Sequence, residues 1–317
     1  MSIPQTLITG ANAGIGYGIC RRLLLMDLNA DLIITCRNKQ RAMDTLGRLQ
    51  KEFGKSINVK FVCLDLGDMR SVEVAVREIR SLFPHLHTLI FNAGAGDFNG
   101  LSWGAAITAL LSNPIHAITH SNYKIQKIGT RTMDGLGYVF QVNVFAHYYI
   151  QQRLIDIHKR VVWESSLEAY PSSFQINDIQ GLQTPYPYGS SKRLMDMLHV
   201  SSKKDEYLCH PGVCATNIFR DHLSLPLVWV MVFLMYLVRW MGSPWHPVTA
   251  EKGASSIIFC ALGKGDSSYK WGSGTTRMGR EKIRKTVVED CRMEESLEVR
   301  QKMDALYREW RDKLMNI

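Results

Sequence analysis

The 317 residues contain no internal repeat, no low-complexity tract and no Pro/Ser-rich linker. That absence sets aside solenoids and disordered arrays and favours a single α/β unit with a C-terminal appendage. Seven cysteines stand at 20, 36, 63, 209, 214, 260 and 291, an odd number without a Cys-x-x-Cys pair. Such scattering suits reduced thiols facing a cytosol better than a disulfide framework. His85/His87 and His116/His120 have no cysteine or acidic cluster beside them, so no metal site is expected. No signal peptide is expected, because the first strand begins within a few residues of Met1. The net charge is +9, but the basic residues are spread over many segments and no nucleic-acid motif accompanies them. A nucleic-acid partner is therefore not expected. Hydrophobic residues make up 46% of the chain, ample for a large core.

What is present begins with Thr9-Gly10-Ala11-Asn12-Ala13-Gly14-Ile15-Gly16. A β-type run, Thr6 to Thr9, leads into it. An amphipathic helix follows, with Ile15, Ile19, Leu23 and Met26 expected on one face. Strand, glycine turn and helix start together build a phosphate site. Glycines let the backbone turn and approach an anion closely, and the helix N-terminus offers free N–H groups and positive dipole character. The spacing is G-x-x-x-G-x-G rather than the common G-x-G-x-x-G.

Further strands and helices alternate after it. Asp31 to Cys36 reads as a strand, followed by Arg37, Asn38, Lys39 and Arg41. An acid usually meets a ribose 2′-hydroxyl at such a tip. None stands here, and a guanidinium suits a 2′-phosphate instead. NADP(H) is therefore expected over NAD, with Arg37 and Arg41 as its contacts. Arg41 to Phe53 reads as a helix, and Val59 to Leu64 as a strand ending in Asp65-Leu66. Ser71 to Phe83 reads as the next helix, with Ser71 at its N-cap and Glu73 in its first turn. Thr88 to Phe91 is a strand running into Asn92-Ala93-Gly94. Residues 95–135 show no clean period and read as a long insertion with some helix. Gly137 to Gln152 follows as a helix carrying Asn143, then the strand Arg160 to Trp163, then Glu164-Ser165-Ser166. Pro185 to Val200 contains Tyr188-Gly189-Ser190-Ser191-Lys192, and Tyr207 to His210 is a short strand before Pro211-Gly212-Val213.

In this order, Thr9–Gly16, Asn92-Ala93-Gly94, Asn143, Ser166, Tyr188-x-x-x-Lys192 and Pro211-Gly212 resemble the short-chain dehydrogenase/reductase superfamily over about residues 3–220. Trp163-Glu164-Ser165-Ser166 and the 22-residue step from Ser166 to Tyr188 look like the 3-keto-steroid reductases of sterol synthesis. The resemblance implies a doubly wound parallel sheet of Rossmann type. It implies catalytic roles for Ser166, Tyr188, Lys192 and Asn143, the last in a water relay to Lys192. It also implies cofactor contacts at Gly10, Asn12, Gly14, Ile15, Gly16, Asp65, Asn92, Gly94, Tyr188 and Lys192, with Val213 and Thr216 fixing the carboxamide.

The chemistry suits these residues. A ketone accepting hydride needs a proton on its oxygen, and a phenol with a pKa of about 10 is a poor partner at neutral pH. Lys192, four residues beyond Tyr188, shares its helix face, and its charge together with that of an oxidised nicotinamide is expected to lower that pKa. The step from Lys192 to Pro211 is only 19 residues, short for helix, turn and strand, and is expected to shift the next strand.

Leu223 to Val238 is a 16-residue run without charge, below the about 20 residues of a spanning helix. It reads as an interfacial or half-buried lid helix, with Trp229, Trp240 and Trp245 at a membrane boundary; a buried or dimer-facing helix is the alternative. Thr249 to Leu262 reads as a helix. Glu281 to Met315 reads as a charged helical tail with a stripe of Val287, Leu297, Met303, Leu306 and Trp310. Arg277, Arg280, Lys282, Arg284 and Lys285 are candidates to face anionic lipid. The expected organisation is a catalytic region 1–220, a lid region 221–262 and a tail 263–317. The expected activity is NADPH-dependent reduction of a 3-keto sterol on the cytosolic face of the endoplasmic reticulum or on lipid droplets. Other sterol-synthesis enzymes are possible partners. The alternatives are reduction of another lipophilic carbonyl such as retinal, or a silent scaffold.

Overall fold

In the first strand Leu7 packs into the core on one side of a sheet and Ile8 into the core on the other. Ile33/Ile34 and Leu89/Ile90 divide the same way. Strands with period-two side chains and apolar residues at both phases must be covered on both faces, and here helices cover both. The computed structural model describes residues 3–121, 123–202, 205–215 and 225–315.

The first half runs β1 (Thr6–Thr9), α1 (Gly14–Met26), β2 (Leu32–Cys36), α2 (Lys39–Phe53), β3 (Val59–Cys63), α3 (Met69–Leu82) and β4 (Thr88–Phe91). A small lobe follows, with β5 (Phe98–Leu101), α4 (Trp103–Ser112), α5 (Pro114–Thr119) and β6 (Lys124–Gln126). The chain returns through α6 (Tyr138–Phe140), a π turn at Gln141–Phe145, α7 (Ala146–Arg153), β7 (Arg160–Glu164), α8 (Pro187–Val200) and β8 (Glu206–His210). It ends with α9 (Leu225–Trp240), α10 (Ala250–Ala261), β9 (Lys270–Thr275), β10 (Glu281–Thr286) and α11 (Met293–Met315).

The main sheet has eight strands in the order β10-β9-β8-β7-β4-β1-β2-β3. All neighbours pair in parallel except β9 with β10. From β1 the order runs outward to β2 and β3 on one side, and to β4 and β7 on the other. This reversal at β1/β4 opens a crevice at the carboxyl ends of the strands, where ligands bind in doubly wound sheets. The chain is therefore an α/β fold of Rossmann type, as the motif order implies. A further apolar cluster, Ile118, Met235, Val238 and Val248, ties α5 to α9 beside that crevice.

Several local expectations are corrected. Met26 is 45% exposed, because α1 ends there; of the expected stripe Ile15, Ile19 and Leu23 reach the core, joined by Cys20 and Leu24. The cap of α3 is Asp68, whose carboxylate accepts from the Arg70 N–H, while the Ser71 hydroxyl accepts from the Asp65 N–H. Glu73 is buried and bonds Arg77, Arg153 and the Tyr149 hydroxyl. The short return does not displace β8: Val161–Glu164 of β7 pair in register with Glu206–Cys209. Residues 281–286 are strand rather than helix. Val287 and Leu297 are exposed while Met303 is buried. Trp245 lies against the His210 ring. Thr216 and Leu223 lie outside the described residues.

Candidate active site

The glycine turn after β1 is held from the neighbouring strand. Thr9 Oγ1 accepts the N–H groups of Asn92 (3.0 Å) and Ala93 (3.1 Å). The Asn92 side-chain amide donates back to the carbonyls of Thr9 (2.7 Å) and Gly10 (3.3 Å). Gly10 has φ +67°, and a Cβ on Gly16 would collide with the Gly10 carbonyl and the Asn92 amide. Gly16 thus lets α1 approach the strand but does not itself line the cleft. Ala13 at the N-cap supplies no side-chain oxygen, so the first N–H groups of α1 have no side-chain cap. A cavity of about 720 Å³ opens there, lined by Gly10, Asn12, Gly14, Ile15, Arg37, Arg41, Asp65, Asn92, Gly94, Tyr188 and Lys192 among others. Among the described residues neither Arg37 nor Arg41 makes an ion pair. Asp65 Oδ1 is engaged locally, accepting from the Gly67 N–H at 2.9 Å. An uncapped helix start, two unpaired guanidinium groups and a volume inside the usual ligand range of about 300–1,000 Å³ fit a phosphorylated dinucleotide.

A second, more apolar cavity of about 240 Å³ adjoins the first. Leu227, Val230, Met231, Leu234 and Met235 of α9 form one wall, Leu101, Trp103 and Leu110 another, and Ser166, Val213 and Lys124 also border it. Ile15, Glu164 and Tyr188 line both cavities. Tyr188 is consequently half-buried, its ring facing the cavities and enclosed by protein elsewhere.

Pro187 opens α8 at a position where a missing N–H costs nothing. This places Tyr188 in the first turn, its N–H donating to Gln126 Oε1 at 2.8 Å and its ring 6.1 Å from that of Phe98. Ser166 borders the apolar cavity together with Tyr188, and its Oγ accepts the Glu168 N–H at 3.1 Å. Burial raises the Tyr188 pKa above its usual value, with Glu168 and Glu164 adding to it and the Ser166 hydroxyl opposing it. Lys192 by itself does not bring the expected lowering. The lysine Nζ lies 5.6 Å from the ring centroid and donates to the Glu164 carbonyl at 2.7 Å. Burial lowers the Lys192 pKa, while the nearby Glu164 carboxylate opposes that shift; Glu164 itself is raised by burial.

Asn143 sits in the π turn, a distortion found often at functional sites. Its Oδ1 accepts the Ala95 N–H (2.7 Å), and its Nδ2 donates to the Ala95 carbonyl (3.0 Å) and to Ser191 Oγ (2.9 Å). Asn143 does not border either cavity; it clamps the loop after β4 against α8. A Cβ on Gly94 would lie 3.3 Å from Asn143 Oδ1 and 3.8 Å from Lys192 Nζ, so these three residues converge. The Val213 N–H donates to the Trp245 carbonyl (2.7 Å) and its carbonyl accepts from Val248 (3.2 Å).

Sequence reasoning passed over three contributors. Gln126 caps α8 from the insertion, and Lys124 pairs with Glu168 across the second cavity. Lys270, on the unforeseen strand β9, reaches the Ser165-Ser166 turn. Only a glutamine, two lysines and an acid in unpatterned segments signalled them.

The fold and this Ser–Tyr–Lys arrangement define a class, the short-chain dehydrogenases, and the chain belongs to that family, a class of oxidoreductases. The short chain dehydrogenase family matches residues 5–157. The 3-keto-steroid reductase of Schizosaccharomyces pombe is 39% identical, covering 98% of this chain and 98% of its own. Proteins of the same name from Candida albicans and Saccharomyces cerevisiae are 32% and 30% identical, covering 97% and 99% of this chain. Similar solved structures include the Pseudomonas aeruginosa RhlG/NADP active-site complex, with TM-score 0.56 and 18% identity over 83% of this chain and 90% of that one. L-sorbose reductase from Gluconobacter frateurii complexed with NADPH and L-sorbose has TM-score 0.54 and 16% identity over 82% and 90%.

Proposed function

We propose that this chain is an NADPH-dependent reductase converting the 3-keto group of a sterol to a 3β-hydroxyl, the type of step used in sterol C-4 demethylation. The observation that carries it is the seat of Tyr188 and Ser166: a phenol bordering both a polar, arginine-edged cavity and an apolar one, with the Ser166 hydroxyl lining the apolar cavity beside it. The near full-length similarity to 3-keto-steroid reductases supports a sterol over other lipophilic carbonyls. Gly10, Asn12, Gly14 and Ile15 would hold the cofactor pyrophosphate against α1, and Arg37 and Arg41 the 2′-phosphate. When bound, the cofactor supplies hydride. Ser166 orients the ketone oxygen toward Tyr188. The phenol is protonated at neutral pH and donates its proton as negative charge develops on that oxygen, a contribution worth roughly 10²–10⁴ in rate. Lys192 supplies positive charge beneath this pair, and Asn143 holds the loop that carries Gly94 and Ala95.

The reading extends to location. Along α9, Leu227, Met231, Leu234 and Met235 border the apolar cavity while Trp229 and Phe233 are 73% and 66% exposed. On α4, Trp103 and Leu111 are also largely exposed. Among the described residues no helix is long and apolar enough to cross a membrane. A lid that lies in the interface suits a substrate dissolved in the bilayer. It would place the protein on the cytosolic face of the endoplasmic reticulum or on lipid droplets. NADPH oxidation by purified protein against keto-sterols, retinal and simple ketones tests the activity, with the 3-keto sterol expected to be turned over best. A preference for retinal, or no turnover at all, would replace it with another reductase or a scaffold role. Trp229→Glu/Phe233→Glu should release the protein from liposomes and reduce activity on membrane-borne sterol far more than on a small soluble ketone. A wild-type protein that stays in the supernatant with liposomes present, yet reduces sterols, refutes the docking.

A further inference from the structure

Lys270 is the first residue of β9, two strands away from β7 in the sheet. Its side chain is almost wholly enclosed and donates to three acceptors: Asp196 Oδ2 at 2.8 Å, Ser165 Oγ at 3.0 Å and the Ser166 carbonyl at 2.8 Å. An ammonium has three N–H donors, so all are engaged. Asp196 is equally enclosed and lies on α8, four residues beyond Lys192 and eight beyond Tyr188. Its other oxygen, Oδ1, accepts the Ser165 hydroxyl at 2.5 Å. Two short connections therefore join the turn that carries Ser166 to the helix that carries Tyr188 and Lys192.

Burying two opposite charges costs desolvation that their attraction rarely exceeds, and a well-packed apolar pair serves stability as well or better. What the ion pair offers is direction. Apolar contacts permit sliding of a turn against a helix, whereas the Lys270 fork pins the Ser166 peptide at one carbonyl oxygen. Ser166 is then held on two sides, its carbonyl by Lys270 and its Oγ by the Glu168 N–H. We propose that Lys270 and Asp196 are positioning residues that set the distance between the Ser166 and Tyr188 hydroxyls. This rests on the role given above to Ser166.

The test uses the full-length protein carrying Lys270→Met, Asp196→Leu, and both together. Each single change leaves a buried charge unpaired and is expected to lower Tm. The double change removes both charges and should recover most of that loss. kcat of the double variant should nevertheless stay on the order of 10²-fold below wild type, the size expected from a displacement of about 1 Å. KM for NADPH should remain within about twofold, since neither residue borders the cofactor cavity. In a Ser166→Ala background the same double change should cost less than about threefold further. Hydrogen exchange over residues 165–168, which needs no substrate, should quicken in the double variant while the strands stay protected. A double variant with wild-type kcat and unchanged exchange overturns the proposal, as does a loss that is undiminished without the Ser166 hydroxyl. A Ser166→Ala protein with wild-type kcat instead overturns the role of Ser166, and faster exchange in the double variant would still show the tie.

Discussion

Removing the guanidinium of Arg37 should separate the two nicotinamide dinucleotides. Arg37 follows the last residue of β2, is solvent-exposed, and borders the cofactor cavity with Arg41, in the first turn of α2. A hydrogen bond to a charged group contributes about 1.5–3 kcal/mol, but an exposed ion pair is screened to about 0.2–1 kcal/mol, so about 1 kcal/mol is expected for Arg37. At 1.4 kcal/mol per tenfold, Arg37→Ala should raise the NADPH Kd about fivefold. NADH carries no 2′-phosphate, so its Kd should change by less than about twofold. Arg37→Asp adds a like-charge term of about 1 kcal/mol in water-like surroundings, enough for about another fivefold and for a reversed preference. Titration of nicotinamide fluorescence at low salt, repeated at high salt where the gap should shrink, measures all three proteins. Equal wild-type affinity for the two cofactors, or equal weakening of both by Arg37→Ala, would refute the reasoning.

Tyr188→Phe should abolish turnover while the NADPH Kd stays within about twofold, because only the proton donor is lost; retained activity would mean that the proton comes from elsewhere. Glu164→Gln should move the alkaline limb of the pH–rate profile to lower pH. The Glu164 carboxylate raises the Lys192 pKa, and without it the lysine loses its proton sooner; an unmoved limb would show that Lys192 charge does not govern the rate. The buried His147, His199 and His246 each have pKa values lowered by burial from 6.5 to about 4. Above about pH 6.5 folded and unfolded states are both neutral at these sites. As pH falls toward 4 only the unfolded chain takes up the protons, so stability is lost through that window by about 1.4 kcal/mol per pH unit per histidine. Chemical denaturation at pH 7, 6 and 5 should show that fall, and His147→Asn should flatten it; equal slopes would exclude His147 as a contributor.

The sequence alone determined the alternation of strands and helices through β8, the glycine turn and the order of Asn143, Ser166, Tyr188 and Lys192. These are properties of near neighbours: periodicity, turn chemistry and spacing along one helix. The absence of an acid after β2 likewise pointed to a 2′-phosphate from one residue, Arg37. Tertiary structure decided what depends on distant partners. β9 and β10 are recognisable only from pairing, since Lys270–Thr275 has two glycines and Glu281–Thr286 is charged and exposed. Asp68 took the α3 cap from Ser71 because the helix began two residues earlier. The sign of the Tyr188 shift was set by burial, with Glu168 and Glu164 adding to it, rather than by the lysine one turn away. Lys270 and Asp196 meet across 74 residues of chain, and no local pattern announces such a pair. A buried charge finds its partner through the whole fold, because only the fold removes the water that would otherwise serve both.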